Sequence, residues 1–259
     1  MIISHKYKFV FIGLPFSASS AISKELYLQY GGEAVLRKHS LYYDFKKIAK
    51  QEERKYFVFA VLRNPMDIVI SLYEKMKVNA KGNFTNKDLF VENGGHITKQ
   101  DRQIFNFIQC EKATFQQYFR KFFNKPYDNF ASLTIHHCDH VINYESIADD
   151  FFSTLKKLGV ASPRPLPIAN KTSGKGTNIL EYYTEEIKEQ AIYVFAPFLE
   201  RHNLSFPKEW GVITPPLKSL IQFKTLSILR CLYYRYFKKY SNKTGPHGTI
   251  YGDIQRNRL

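Results

Sequence analysis

The chain has 259 residues, of which 44% are hydrophobic and 24% are charged. This composition supports a substantial buried core and excludes a wholly disordered protein. Lys and Arg total 38 against 23 Asp and Glu, a formal net charge of +15, which favours an anionic partner such as a nucleotide, an acidic glycan, nucleic acid or an anionic membrane. Three widely spaced cysteines exclude a disulfide scaffold and give no zinc-ligand spacing. Because we find neither a secretory leader nor an apolar run of about 20 residues, we expect a cytoplasmic protein without a transmembrane segment.

Short apolar runs alternate with helical segments along the chain. Residues 8–14 and 56–62 are β-rich and continuously apolar, which is typical of strands buried on both faces. Each is followed by a predicted helix, at 21–30 and at 66–77. Further predictions are strands at 132–135 and 140–143, helices at 147–158 and 184–201 (the latter capped by Thr184), and exposed loops at 81–98 and 161–177. The alternation predicts an α/β fold with a mostly parallel central sheet flanked by helices.

The turn after the first strand is the first candidate site. Residues 13–20 read Gly-Leu-Pro-Phe-Ser-Ala-Ser-Ser and lead directly into a predicted helix. A helix N-terminus presents free backbone N–H groups and a partial positive charge, so it can hold a phosphate or a sulfate. Ser17, Ser19 and Ser20 add hydroxyl donors. The loop lacks the Gly-Lys-Ser/Thr ending of a Walker A motif, and an ordinary serine-capped helix is the alternative interpretation.

The end of the second strand is the other candidate site. Arg63 follows the strand, Asn64 and Pro65 come next, and Ser71 lies two turns along the following helix. This spacing lets a guanidinium and a hydroxyl converge on one anionic group, and Arg suits bidentate phosphate contacts. Taken alone, Arg63 is more simply explained as a surface or structural salt-bridge residue.

Together the two segments resemble the PAPS-dependent sulfotransferase family, in particular its carbohydrate-type members. Residues 140–147, 151–160, 170–173 and 182–206 are also similar to segments of that family, so the resemblance covers about residues 8–207. It implies a P-loop-like α/β domain over 1–210. Beyond that domain the composition changes and predicts a basic aromatic helical segment and polar tail over 211–259. The resemblance also implies 3′-phosphoadenosine 5′-phosphosulfate (PAPS) as co-substrate, with no metal. In the family the loop holds the 5′-phosphosulfate and the Arg and Ser bind the 3′-phosphate; the matching residues here are Pro15, Phe16, Ser17, Ala18, Ser19 and Ser20, and then Arg63 and Ser71.

The loop departs from the family pattern at two positions. Family members carry Lys or Arg directly after the loop proline, where it neutralises the leaving phosphate, but this chain has Phe16 there. Ala18 replaces the usual loop glycine. Another cation must substitute if the protein is an active enzyme, and Lys24, Arg37 and Lys38 are the nearest candidates along the sequence.

His39 is the candidate catalytic base. It follows the first helix, where related glycan sulfotransferases carry a histidine, and an imidazole with an ordinary pKa near 6.5 accepts a proton at neutral pH. A histidine on a solvated basic loop is the alternative. The adjacent residues 136–140 include three further histidines, but neighbouring side chains on a strand point to opposite faces, so we expect no metal site. We interpret Glu145 as structural.

The resemblance implies transfer of a sulfuryl group from PAPS to a hydroxyl, with a carbohydrate or glycolipid as acceptor. The alternative is a catalytically impaired module of the same fold that binds a nucleotide or a glycan. A nucleotide kinase is disfavoured because the Walker loop is missing. Nucleic-acid binding has only the net charge in its favour, so we expect no nucleic-acid partner.

The segment 217–240 has a separate character. It contains six basic residues and no acidic residue, with apolar residues at helical spacing and aromatics near its end. Such a helix can lie on an anionic membrane, which would make the protein peripheral at that surface. The alternative is a helix packed on the core with a solvated basic edge.

Overall fold

The computed structural model describes residues 1–167, 176 and 178–237. The described residues form two compact units, the first comprising 1–63, 129–167 and 235–237 and the second comprising 64–128, 176 and 178–234. The helices are α1 (Ser19–Gln29), α2 (Tyr42–Ile48), α3 (Pro65–Lys77), α4 (Lys99–Cys110), α5 (Phe115–Phe122), α6 (Ile147–Lys157), α7 (Glu185–Arg201) and α8 (Leu217–Leu232). The strands are β1 (Ile2–Ser4), β2 (Phe9–Ile12), β3 (Gly32–Ala34), β4 (Phe57–Leu62) and β5 (His140–Asn143).

In the described residues, the first unit contains a five-stranded sheet in the order β3-β1-β2-β4-β5. The pairs β2–β4 and β4–β5 are parallel, whereas β1 is antiparallel to both of its neighbours. The predicted α/β class is therefore confirmed, but the sheet is mixed rather than mostly parallel. The physical reason is the short turn between β1 and β2, since only an antiparallel pair can be joined by so few residues.

The predicted strands at 8–14, 56–62 and 140–143 are confirmed as β2, β4 and β5. Phe9 and Phe11 of β2 join Phe59 of β4 in one hydrophobic cluster, to which α1 and α6 contribute apolar side chains. Val10 and Val58, which alternate with them along the strands, are buried as well. Both faces of these strands are thus covered, as their continuous apolar runs indicated.

The predicted strand at 132–135 is wrong. The chain forms two 3-10 turns there, Phe130–Leu133 and Ile135–His137. The Asn129 side chain accepts a hydrogen bond from the Ala131 amide, which favours a turn at this point because Asn competes locally for backbone partners. The following amides bond three residues back instead of pairing with a neighbouring strand.

Two consecutive glycines lead the chain from α1 directly into β3. Gly31 has φ +58, in the left-handed region that favours glycine after a helix. A Cβ on Gly32 would lie 2.7 Å from both the Ile2 side chain and the Leu26 carbonyl oxygen, so only glycine fits there. This reversal lets β3 pair with β1 and determines where the next turn lies.

The second unit is built around an aromatic core contributed by α3, α4, α5 and α7. The hydroxyl of the fully buried Tyr183 donates to the Met66 carbonyl at 3.1 Å, and the Tyr73 hydroxyl donates to the Ala113 carbonyl at 2.9 Å. The predicted helices at 66–77 and 184–201 are confirmed. Thr184 stands at the N-cap position of α7, but its hydroxyl makes no capping hydrogen bond within the described part of the chain.

The remaining sequence predictions have mixed outcomes. The predicted helices at 21–30 and 147–158 are confirmed as α1 and α6. The predicted loop at 81–98 contains short 3-10 turns and neither an α-helix nor a β-strand. Much of the predicted loop at 161–177 and the end of the segment at 217–240 lie outside the described residues. The division of the chain at residues 210 and 211 stays a prediction.

His202, which follows α7, gives the second unit a pH-dependent stability. Burial, with a smaller contribution from Arg201, lowers its pKa to about 4. Because the unfolded state then binds more protons than the folded state between about pH 6.5 and pH 4, stability falls as the pH falls through that window. Between pH 7.5 and pH 4 the free energy of unfolding should fall by less in His202→Gln than in the wild type, the difference being on the order of 1–3 kcal/mol.

The measurement is the free energy of unfolding of wild type and variant in urea from pH 7.5 to pH 4. The exposed His96 offers a matched control, and His96→Gln should keep the wild-type slope. An unchanged slope in His202→Gln would contradict the assignment.

Candidate functional site in the first unit

The turn between β2 and α1 is held in an unusual backbone conformation. Phe16 has φ 60 and Ala18 has φ 55, two left-handed positions in a segment where neither residue is glycine. Such conformations are costly and concentrate at functional sites. Ala18 thus has a backbone geometry that glycine favours.

The N-terminus of α1 differs from those of α3, α4 and α5 and resembles that of α8, which in the described residues also has no side-chain cap and no acidic residue in its first turn. Among the described residues, no side chain caps it, and its first turn contains no acidic residue. By contrast, Asn64, Thr98 and Thr114 cap α3, α4 and α5. The interpretation of α1 as an ordinary serine-capped helix is therefore wrong. A helix N-terminus without a cap or a carboxylate is the kind that suits an anion.

The three loop serines have different environments. The Ser17 hydroxyl is buried and donates to the Leu14 carbonyl at 2.7 Å, so its proton stabilises the turn and is not directed at a ligand. Ser19 is also buried. Ser20 is half-buried and accepts a hydrogen bond from Lys38. The Ser20 hydroxyl, one of the three proposed donors, is therefore in direct contact with a positive charge.

Lys38 places its ammonium group at the first turn of α1, where its Nζ donates to Ser20 Oγ at 2.6 Å. The turn that follows β3 positions it. The Arg37 amide donates to the Ser40 hydroxyl at 3.0 Å, and the Ser40 amide donates to the Arg37 carbonyl at 3.1 Å. Of the three cations that the sequence suggested, Lys38 contacts the loop, and Lys24 is exposed on α1.

His39 contacts the other end of the same loop. Its Nδ1 lies 2.6 Å from the carbonyl oxygen of Gly13. Since a carbonyl only accepts, Nδ1 carries the proton, and in the neutral imidazole the basic lone pair is on Nε2. A backbone carbonyl therefore selects the tautomer in which Nε2 acts as a base. The sequence predicts His39 as the candidate base, but it does not predict the contact with Gly13 that orients the ring.

Arg63 joins the end of β4 to the loop. Its Nη1 donates to the Phe16 carbonyl at 3.0 Å, and its guanidinium lies 4.3 Å over the ring of Tyr144. The side chain is only 8% exposed, which is inconsistent with a surface salt-bridge residue. The two segments singled out in the sequence thus meet within the first unit, because β2 and β4 are adjacent and parallel.

Ser71 and Phe16 complete the set of predicted site residues. Ser71 is fully buried on α3 and belongs to the second unit. Of the two residues predicted to bind the 3′-phosphate, only Arg63 therefore lies in the first unit. The joint binding of a 3′-phosphate by Arg63 and Ser71 stays a prediction. Phe16 exposes 37% of its surface beside the half-buried Pro15, and it supplies no charge.

Within the described residues, which include the histidine-rich segment at 136–140, no group of three or more potential ligands is arranged to hold a metal ion. The His137 ring lies 4.9 Å from that of Tyr42, and burial lowers the pKa of His137. Burial also raises the pKa of Cys138 to about 12, which disfavours the thiolate that a metal would need.

Comparisons of the chain with protein-family models, with curated proteins and with solved structures found no match. Across the described parts of the chain, no helix combines the length and the apolarity needed to cross a membrane.

Proposed function

We propose that this protein is a PAPS-dependent sulfotransferase that transfers a sulfuryl group to a hydroxyl of a carbohydrate or glycolipid. One observation carries the proposal: Lys38 donates to Ser20 at the first turn of α1. A cation therefore lies at the loop for which the family resemblance expects one, although Phe16 provides none. The net charge of +15 is consistent with a polyanionic co-substrate and an anionic product.

PAPS supplies the activated sulfuryl group. In the transfer, the acceptor oxygen forms a bond to sulfur, the bond between sulfur and the bridging phosphate oxygen breaks, and the electron pair remains on that oxygen. The acceptor proton passes to Nε2 of His39, whose tautomer is selected by the Gly13 carbonyl. The Lys38 ammonium stabilises the charge that develops on the leaving phosphate.

The rest of the site holds the loop and attracts the anion. The first-turn amides of α1, without a competing carboxylate, favour the 5′-phosphosulfate. Arg63 holds the Phe16 carbonyl and adds a positive charge beside it, which supports its role toward the 3′-phosphate. This role combines positioning and binding, because the same guanidinium maintains the turn.

A second candidate is a module that binds the nucleotide but does not turn it over. The exposed, uncharged Phe16 favours it, since it leaves one family contact unmade. In this case Lys38 and His39 would stabilise the loop through their hydrogen bonds to Ser20 and Gly13, with no part in proton or charge transfer.

The experiment that tests the proposal is transfer of radiolabelled sulfate from PAPS to a panel of neutral and anionic glycans. We expect a labelled, acceptor-dependent product together with 3′-phosphoadenosine 5′-phosphate. Nucleotide binding without transfer to any acceptor would favour the binding module. The absence of both would contradict the proposal.

A further inference from the structure

Helix α8 in the second unit has one packed side and one exposed side. On the packed side, Ser219 donates to the Tyr193 carbonyl of α7, and the Tyr193 hydroxyl donates to Gln222 Oε1 at 2.6 Å. Phe223 is buried on the same side. These contacts hold α8 against α7 and thereby fix which side of α8 faces away from α7.

The exposed side carries an apolar stripe. Leu217, Ile221, Ile228 and Leu232 are 72%, 58%, 61% and 43% exposed. Their spacing of four, seven and four residues places them on one line along a helix. Leu229 and Tyr233, each more than half exposed, extend the surface. An exposed apolar surface of this extent on one face of a helix is typical of an interaction site.

The charged side chains that α8 itself carries have one sign. Lys218 beside it and Lys224 within it are both exposed, and residues 211–234 contain no acidic residue. Arg230 differs, because it lies 3.6 Å from the buried Asp128 and its charge is matched there. The surface that α8 presents is therefore apolar and cationic.

We infer that this face of α8 binds the surface of an anionic lipid bilayer. A helix lying in the interface inserts its apolar side chains between lipid headgroups, and the long stems of its lysines let their ammonium groups reach the phosphates. A second copy of the chain fits less well. It would enclose Lys224 in an apolar seam, and α8 has no carboxylate to pair with it.

The test is flotation of the full chain with vesicles of phosphatidylcholine alone and of phosphatidylcholine mixed with phosphatidylserine. We expect flotation with the mixed vesicles only. The double variant Ile221→Ser/Ile228→Ser should weaken binding by about tenfold or more. Lys218→Glu/Lys224→Glu should weaken it by about 25-fold or more, at about fivefold for each lysine lost.

Matched controls lie elsewhere in the second unit. Val78 and Val91 are 53% and 51% exposed, so Val78→Ser/Val91→Ser removes similar apolar surface away from α8. Lys87→Glu/Lys99→Glu changes the net charge equally at exposed sites. Both controls should float like the wild type, and circular dichroism checks that each variant is folded.

Three results would overturn the inference. The first is no flotation of the wild type with anionic vesicles. The second is flotation that neither the isoleucine nor the lysine variant reduces. The third is self-association without vesicles, detected by analytical ultracentrifugation, that Ile221→Ser/Ile228→Ser abolishes, since a second copy would then occupy the stripe.

Discussion

Replacing Lys38 with alanine is expected to lower kcat for sulfuryl transfer by about 10²–10³, the effect of removing one charge-stabilising contact from a transition state. The reason is the position of its ammonium on Ser20, at the first turn of α1. Negative charge builds on the leaving phosphate only as the bond to sulfur breaks. The loss should therefore appear in kcat more than in KM.

Two comparisons separate this role from a structural one. Lys24→Ala removes an exposed cation from the same helix and should leave kcat near the wild-type value. Phe16→Lys, introduced into Lys38→Ala, places a cation directly after Pro15 and should restore part of the lost rate. If Lys38→Ala is folded and as fast as the wild type, another group supplies the charge and the assignment is wrong.

Replacing His39 is expected to lower kcat by about 10²–10⁴, the range for removal of a general base. The more informative variant is His39→Gln, because its amide can still donate to the Gly13 carbonyl that Nδ1 now contacts but cannot accept a proton. Rate loss in both His39→Ala and His39→Gln indicates a base, whereas rescue by Gln indicates a structural hydrogen bond.

The pH profile gives the second readout. In the wild type, kcat/KM should fall on the acid side as the imidazole becomes protonated and loses its lone pair. His39→Gln should lack that acid limb. The exposed His136 in the same unit is the control, and His136→Gln should keep the wild-type profile. An acid limb that persists in His39→Gln would show that the base is a different group.

The parts of the fold that the sequence predicts best are those in which a strong pattern has one interpretation. The runs at β2 and β4 are apolar throughout and bounded by Gly, Pro or Arg, and both are strands. The strands β1 and β3 were not predicted, because each has three residues and owes its existence to pairing with a neighbour. Pattern alone carries little information about so short an element.

Local hydrogen bonds decided two other segments. Residues 132–135 alternate in a way that fits a strand, but Asn129 starts a turn before them. The aromatic segment of α5 fits either type of element, and Thr114 with Gln117 forms a capping box at its start, which favours the helix. In both cases the residue that starts the observed structure, Asn129 or Thr114, lies outside the hydrophobic pattern.

For the candidate site, the loop and Arg63 could be predicted because each follows a strong strand, and neighbouring parallel strands bring their carboxyl ends to one edge. Lys38 could not be ranked among the cations, because its position depends on β3 and on the turn after it. Ser71 was correctly placed on a helix, but its complete burial depends on the packing of the second unit, which no local pattern predicts.

Isothermal titration of the wild-type protein with 3′-phosphoadenosine 5′-phosphate tests the central claim most directly, because both catalysis and binding require this nucleotide to be held. We expect saturable binding that weakens by about 10- to 100-fold in Arg63→Ala and for adenosine 5′-phosphate, which lacks the 3′-phosphate. Circular dichroism would establish that Arg63→Ala is folded. No heat of binding with the folded wild type, or equal affinity for the two nucleotides and for the variant, would contradict a PAPS site.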